Sequence, residues 1–112
     1  METKRQSRVA KQIQKDMGEI FQREMTGLSG GALITVTKVN VTGDLSIAKV
    51  YLSLFATKDK EALMKSIRSH GKEFRFHLGN RLKNQMKKIP ELQFYEDDSL
   101  DYIENLENLL ND

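Results

Sequence analysis

The side chains best suited to chemistry are the lysines and arginines of one segment, residues 58–88. The segment holds ten basic and three acidic residues, so its net charge is +7, whereas residues 91–112 hold eight acids and no base. A chain whose total charge is only +2 is therefore strongly polarised along its length. This pattern predicts a polyanionic partner for the basic segment.

Five cations of the segment fall mostly outside its apolar positions and are expected on one exposed face: Arg68, Lys72, Arg75, Arg81 and Lys83. Lys87 is expected to lie with them. Three N-terminal residues, Arg5, Arg8 and Lys11, predict a second basic patch. Arginine can bind phosphate through paired hydrogen bonds, and each neutralised phosphate releases counterions. A solvated helix face is the common alternative, but such an excess of one sign repels itself and favours nucleic acid.

Catalytic and metal-binding interpretations find little support. Residues 28–31 lack the lysine of a phosphate-binding loop. Residues 96–98 could bind a hard cation, although carboxylates in an acidic tail are usually solvated. His70 and His77 could form an acid–base pair, but no carboxylate is spaced to orient either, so both are expected at the surface, His70 in contact with RNA. The chain has no cysteine, and we predict no catalytic residue, metal site or cofactor.

Helical periodicity predicts the elements that carry the basic residues. Apolar residues three and four positions apart predict a first helix from residue 2 to about residue 25. Helical spacing returns at residue 57 or 58 and continues to about residue 88, where Pro90 stops it. The motif Ser69-His70-Gly71 interrupts this stretch, and because glycine disfavours a helix interior, it predicts a kink between two helices.

Three short strands complete the predicted domain. Residues 33–41 and 45–55 predict a hairpin joined by a turn at residues 42–44, with a bulge near Thr37-Lys38 that reconciles two facing patterns. Leu92 and Phe94 predict the third strand. Tyr51 and Phe55 could stack on bases, but we expect helices to cover them in so small a domain.

The length of 112 residues fits a single domain. We expect residues 1–97 to form it and residues 98–112 to form an acidic tail with helical spacing of apolar residues. No apolar run reaches the roughly 20 residues that span a bilayer. The N-terminus has no apolar region typical of a secretory signal, so a cytoplasmic location is expected.

Ordered motifs along most of the chain resemble the ribosome-binding factor A family of bacterial assembly factors. The motifs are Arg5-x-x-Arg8-Val9, Val39-x-Val41-x-x-Asp44-Leu45-x-x-Ala48-x-Val50-Tyr51, Gly71-x-x-Phe74-Arg75-x-x-Leu78 and Ile89-Pro90-Glu91-Leu92-x-Phe94-x-x-Asp97-x-Ser99. The resemblance implies an α+β fold, a single KH-like domain of type II topology with a three-stranded sheet backed by helices. It also implies that a kink at Ser69-His70-Gly71 replaces the Gly-x-x-Gly clamp of other KH domains.

The resemblance further implies a function without catalysis. Such a protein binds the free small (30S) ribosomal subunit and its 16S ribosomal RNA, assists late maturation and RNA processing, and leaves before translation. It is expected to be a cytoplasmic monomer without a cofactor, a membrane contact or a small-molecule substrate.

Two other functions stay open at this point. The chain could be a generic RNA-binding or protein-interaction module whose acidic tail, residues 96–112, recruits a basic partner or shields the basic face. A hydrolytic enzyme would require a clustered base and nucleophile, which the sequence does not offer.

Overall fold

Helices and strands follow one another in the order α1–β1–β2–α2–α3–β3. The computed structural model describes residues 2–97, so the acidic tail predicted at residues 98–112 lies outside the described residues. The elements are α1 (Lys4–Arg23), β1 (Leu33–Val41), β2 (Ile47–Phe55), α2 (Lys60–Ser69), α3 (Gly71–Leu82) and β3 (Glu91–Glu96), with a 3-10 turn at Thr26–Ser29. The order agrees with the predicted α+β, KH-like arrangement.

The three strands form one mixed sheet with the order β1-β2-β3. Strands β1 and β2 are antiparallel, and β3 joins β2 in parallel. The predicted bulge is confirmed, because the register of β1 against β2 shifts between Val36 and Lys38. The extra residue, Thr37, lets Val36 and Val39 both turn their side chains into the core.

One hydrophobic core lies between the sheet and the three helices. Phe74 of α3 is fully buried near its centre, with its ring centroid 4.7 Å from that of Phe21 and 5.2 Å from that of Phe94. Ile13 of α1 and Ile67 of α2 are also fully buried in this core. Each such side chain contributes roughly 1.5–3 kcal/mol to folding, so the helices are fixed firmly against the sheet.

The opposite face of the sheet carries Tyr51, which the sequence led us to expect under a helix. That expectation was wrong, because all three helices pack on the face formed by Ala48, Val50, Leu52 and Leu54. Tyr51 is half-buried and stacks on Tyr95 at a centroid distance of 5.5 Å. Phe55 is also half-buried.

The third helix is shorter than its sequence predicts. It ends at Leu82 rather than near Lys88, and the backbone N–H groups of Gln85 and Met86 both donate to the Leu82 carbonyl as the chain turns. The reason is the position of β3, whose first residue, Glu91, donates to the Ser46 carbonyl. Six more helical residues would carry the chain about 9 Å farther along the helix axis. Lys87 therefore lies in a loop.

Candidate nucleic-acid interface

The predicted kink is confirmed at His70, which ends α2 and precedes α3. Its backbone leaves helical geometry with φ −101° and ψ 19°. The ring Nδ1 lies 2.7 Å from the Ser66 carbonyl oxygen, and the Ser69 hydroxyl donates to the same oxygen at 2.7 Å. Because a carbonyl only accepts, Nδ1 carries the proton, and the other ring nitrogen is left for a partner.

Gly71 is the first residue of α3, and the space around its Cα atom is open. A Cβ atom added there would meet nothing within 4 Å, and Gly71 is absent from the glycines with positive φ. The backbone at the kink is therefore accessible from outside. A ligand can approach it more closely than a side chain would allow.

A groove of about 380 Å³ separates the kink from β3. We call it the kink groove, and it is lined by Arg68, Gly71 and residues 92–95. Arg68 crosses it and donates from Nε and Nη2 to the Phe94 carbonyl at 3.1 and 2.9 Å. Tyr95, whose side chain is 38% exposed, provides an aromatic wall. The groove thus combines a cation, an aromatic ring and open backbone, which suits unpaired RNA.

The other basic residues predicted on α3, and Lys83 directly after it, fall into an exposed group and one residue, Arg81, that is bound by carboxylates. Lys72, Arg75 and Lys83 are exposed, and Arg75 donates from Nη2 to the Ile89 carbonyl at 2.8 Å. Among residues 2–97, no carboxylate lies within salt-bridge distance of Lys72 or Lys83. Both ammonium groups are therefore available to an external anion.

Arg81 does not join them, which corrects the expectation of a single cationic face. Its guanidinium binds three carboxylates: Glu19 of α1 closely, buried Asp16 of α1 at 3.6 Å, and Glu24, the residue after α1, at 3.1 Å. Desolvation lowers the pKa of Arg81, but hydrogen bonds and charges from Glu24 and Glu19 outweigh it and raise the pKa above its usual value. Arg81 therefore joins α3 to α1 and has little charge left to offer RNA.

The predicted N-terminal patch is reorganised by the loop that follows α3. Arg5 and Arg8 line a cavity of about 270 Å³ with Met86. Arg5 also lines an adjoining cavity of about 600 Å³ with Lys87 and neighbouring Lys88. This arrangement joins Arg5, Arg8 and Lys87 into a second basic surface at the far end of α3.

Lys11 lies elsewhere, beside the outer edge of β1. It lines a groove of about 460 Å³ with Lys15 and residues 33–36. The sequence predicted Lys11 in one patch with Arg5 and Arg8. Side chains six positions apart on a helix point about 120° away from each other, which separates Lys11 from Arg5.

Two exposed aromatic residues were missed by the sequence reasoning. Tyr95 lies at the kink groove, and Phe76 on α3 is 65% exposed. Phe76 could have been found, because it lies outside the apolar stripe that runs through Phe74 and Leu78 and follows Lys72 by one helical turn. An aromatic residue opposite a buried stripe has no place in the core.

The carboxylate of Asp97, considered above for cation binding, has a structural contact instead. It accepts a hydrogen bond of 2.7 Å from the Thr37 hydroxyl, which links the end of β3 to the bulge in β1. Within residues 2–97, no three His, Asp or Glu side chains are placed to hold a metal ion. Nor does any helix in that range have the length and apolar character to cross a bilayer.

Comparison with known proteins identifies the family. The sequence model of ribosome-binding factor A matches residues 5–110. The chain belongs to the ribosome-binding factor A family. Curated family members include one from Cytophaga hutchinsonii, 44% identical over 98% of this chain and 83% of its own length, and one from Christiangramia forsetii, 43% identical over 95% of this chain and 82% of its own length. Members of this family are ribosome-binding factors.

Solved structures of ribosome-binding factor A support the KH-like fold. The crystal structure of the Thermus thermophilus protein matches with a TM-score of 0.69 and 21% identity, over 81% of this chain and 94% of that one. A homology model of the Thermus protein, fitted into a cryo-electron microscopy map of its complex with the 30S subunit, matches with a TM-score of 0.61 and 20% identity, over 79% of this chain and 90% of that one.

Proposed function

We propose that this chain is a cytoplasmic, monomeric assembly factor that binds the free small ribosomal subunit through its 16S ribosomal RNA. It assists late maturation and processing of that RNA and leaves before translation begins. Family membership supports the ribosome as the partner, and the fitted complex of the Thermus protein favours the 30S subunit.

The observation that carries the RNA contact is the kink groove with its neighbouring cations. Arg68 and Gly71 lie on one wall of the groove, and Lys72 extends the positive surface onto α3. RNA-binding proteins contact structured RNA mainly through phosphates and unpaired bases. A bent helical pair with accessible backbone, and with ammonium groups that no described carboxylate pairs, fits both kinds of contact.

The basic surface of Arg5, Arg8 and Lys87 would provide a second phosphate contact. It lies at the other end of α3, so the two surfaces would contact separate parts of a folded RNA. Two separated contacts raise affinity and fix orientation more than either does alone. This arrangement favours a large structured RNA over a short single strand.

Sucrose-gradient fractionation of cell extract tests the proposal. We expect the protein in fractions of free small subunits and not with translating ribosomes, and we expect cells depleted of it to accumulate unprocessed 16S ribosomal RNA. Lys72→Glu should remove the protein from the subunit fractions, while Lys15→Glu on α1 should leave it there. Sedimentation with translating ribosomes, or equal behaviour of both variants, would reject the proposal.

A further inference from the structure

The outer face of α3 presents an aromatic ring to solvent. Phe76 is 65% exposed, and its one ring contact among the described residues is with adjacent His77, at 5.6 Å between centroids. The buried residues of the helix, Phe74, Leu78 and Leu82, point in the opposite direction. At about 100° per residue, Phe76 lies roughly 160° around the helix from the middle of that buried stripe.

Two lysines share this face with the ring. Lys72 precedes Phe76 by four residues, and Lys83, the residue after α3 that keeps helical backbone angles, follows it by seven. This spacing places both within about 40° of Phe76 around the helix axis. Both are exposed, and neither has a carboxylate partner in the described part of the chain. Exposed Glu73, three residues before Phe76, lies about 60° to one side of it, so two ammonium groups and one carboxylate share this side of the helix and their net charge is positive.

Exposure of one apolar side chain is ordinary in a folded protein. The arrangement around Phe76 is more specific, because the ring lies between two cations separated by about 16 Å along the helix axis. Exposed Asn80 follows Phe76 by one turn and adds an amide that can both donate and accept hydrogen bonds. A ring, two flanking ammonium groups and an amide match one unpaired nucleobase with phosphates on either side.

We propose that the outer face of α3, formed by Lys72, Phe76, Asn80 and Lys83, binds an unpaired base of RNA by stacking it on the Phe76 ring. The lysines hold the neighbouring phosphates, and Asn80 contacts the base edge. This inference rests on the proposed function and extends it, because it assigns the RNA a bulged or looped nucleotide on α3 beside the kink groove, with Lys72 lying between the two.

Charge complementarity decides between RNA and a protein as the occupant. A protein surface covering Phe76 would need to be apolar at the ring and acidic on both sides of it. RNA supplies that combination at every unpaired position, since each base has an apolar face and is joined to anionic phosphates. The proposal therefore commits to RNA, and a protein partner becomes an outcome of the test.

The test uses two RNA hairpins of equal length, one fully paired and one with a single bulged 2-aminopurine, whose fluorescence changes on stacking. We expect the full-length protein to bind the bulged hairpin about tenfold more tightly than the paired one and to change its fluorescence. Phe76→Ala should lose both the preference and the fluorescence change while keeping its affinity for the paired hairpin. Phe76→Trp should restore them.

Leu33→Ala provides the matched control, because Leu33 is an equally exposed apolar residue, 62% accessible, on β1. It should behave as the wild type. Thermal unfolding of every variant, followed by circular dichroism, should be unchanged, since neither side chain contributes to the core.

Each other outcome has a definite meaning. If the wild-type protein sediments with free small subunits but shows no bulge preference, or if Phe76→Ala retains that preference, the stacking site is rejected and the proposed function stands. If Phe76→Ala loses subunit binding without any change toward either RNA, a protein contacts Phe76 and the inference is rejected. Failure of the wild-type protein to bind subunits at all rejects the proposed function itself.

Discussion

At the scale of single residues, the contacts of a basic side chain decide its role more than its place in the sequence. Arg81 and Lys83 are two positions apart, yet Arg81 binds carboxylates of α1 and Lys83 has none within reach among the described residues. Because two helical positions differ by about 200° in direction, one faces α1 and the other faces solvent.

Replacing Arg81 with methionine should therefore affect stability and leave RNA binding intact. Asp16, which is 6% exposed, would lose its cationic neighbour and keep only the Gln12 amide, which donates to it at 3.0 Å. We expect the free energy of unfolding to fall by about 1–3 kcal/mol, measured by urea denaturation. Lys83→Met should leave the free energy of unfolding unchanged and should weaken binding to the small subunit. Equal effects of the two substitutions on stability would contradict this assignment.

Gly71→Ala tests whether the accessible backbone at the kink matters. A methyl group there meets nothing within 4 Å of the protein, and alanine favours a helix by up to about 1 kcal/mol. The variant should therefore be as stable as the wild type or slightly more stable in thermal unfolding. Its affinity for free small subunits should nevertheless fall, because the methyl group keeps RNA from the backbone. Unchanged affinity would place the RNA away from Gly71.

At the scale of elements, side chains from the helices bind backbone carbonyls at both edges of the sheet. Gln6 and Gln14 of α1 donate to carbonyls of β1, at Val41 (3.0 Å), Val36 (3.4 Å) and Thr37 (3.3 Å). Arg68 of α2 does the same at β3. Unpaired strand edges promote aggregation, so these contacts keep the edges from pairing with other chains.

The turn between β1 and β2 depends on a charged carboxylate. Hydrogen bonds from the side chains of Ser46 and Thr42, with the Ser46 backbone N–H, lower the pKa of Asp44 to about 2. Because the folded-state pKa lies below the unfolded value of 3.8, the charged carboxylate stabilises the fold above pH 3.8. This stabilisation is lost as the pH falls through about 2. These bonds hold the turn in its hairpin geometry.

Asp44→Asn should therefore destabilise the domain at pH 7, because asparagine lacks the charge that strengthens these bonds. The difference from the wild type in free energy of unfolding should shrink as the pH falls below about 4 and disappear only below about pH 2. Urea denaturation across this pH range measures it. Glu91→Gln, an exposed carboxylate of β3, is the matched control and should show little difference at any pH; a constant deficit in Asp44→Asn would rule out the charge as the cause.

The sequence predicted these elements because their patterns are local. Alternating apolar residues predicted the strands. The bulge near Thr37 was predicted because the apolar residues before it and after it would otherwise point to opposite faces of the sheet. The end of α3 could not be predicted, since it depends on where β3 must meet β2. The partners of Arg81 could not be predicted either, because they lie about sixty residues away, on α1 and directly after it, and no local pattern joins them to Arg81.

At the scale of the whole molecule, positive charge is divided between surfaces that point to different parts of a partner. Within the described part of the chain, the kink groove, the outer face of α3 with Lys72, and the surface of Arg5, Arg8 and Lys87 are open, whereas half-buried Arg81 is neutralised by the carboxylates it binds. A large folded RNA can contact several of these surfaces at once. Its binding should therefore depend steeply on salt.

This dependence gives a quantitative prediction for individual lysines. The logarithm of the subunit affinity should fall linearly with the logarithm of salt concentration, with a slope set by the number of neutralised phosphates. Lys72→Ala should reduce the magnitude of that slope by about 1, and Arg81→Ala should leave it unchanged. A fluorescence titration of labelled protein with purified subunits between roughly 50 and 200 mM salt measures both slopes. A reduced slope in Arg81→Ala would contradict the division of charge.

The central claim is that the kink lies against ribosomal RNA. Because the chain has no cysteine, this claim can be tested with cysteines introduced one at a time. A single cysteine can be placed at exposed Ser69 in the kink, or at exposed Thr35 on β1 as a control, and each can carry an iron chelate that cleaves nearby RNA. In complexes with free small subunits, the chelate at residue 69 should cut 16S ribosomal RNA at a few discrete nucleotides, and the chelate at residue 35 should cut weakly or elsewhere. Strong cleavage from residue 35 with none from residue 69 would show that the kink faces away from the RNA.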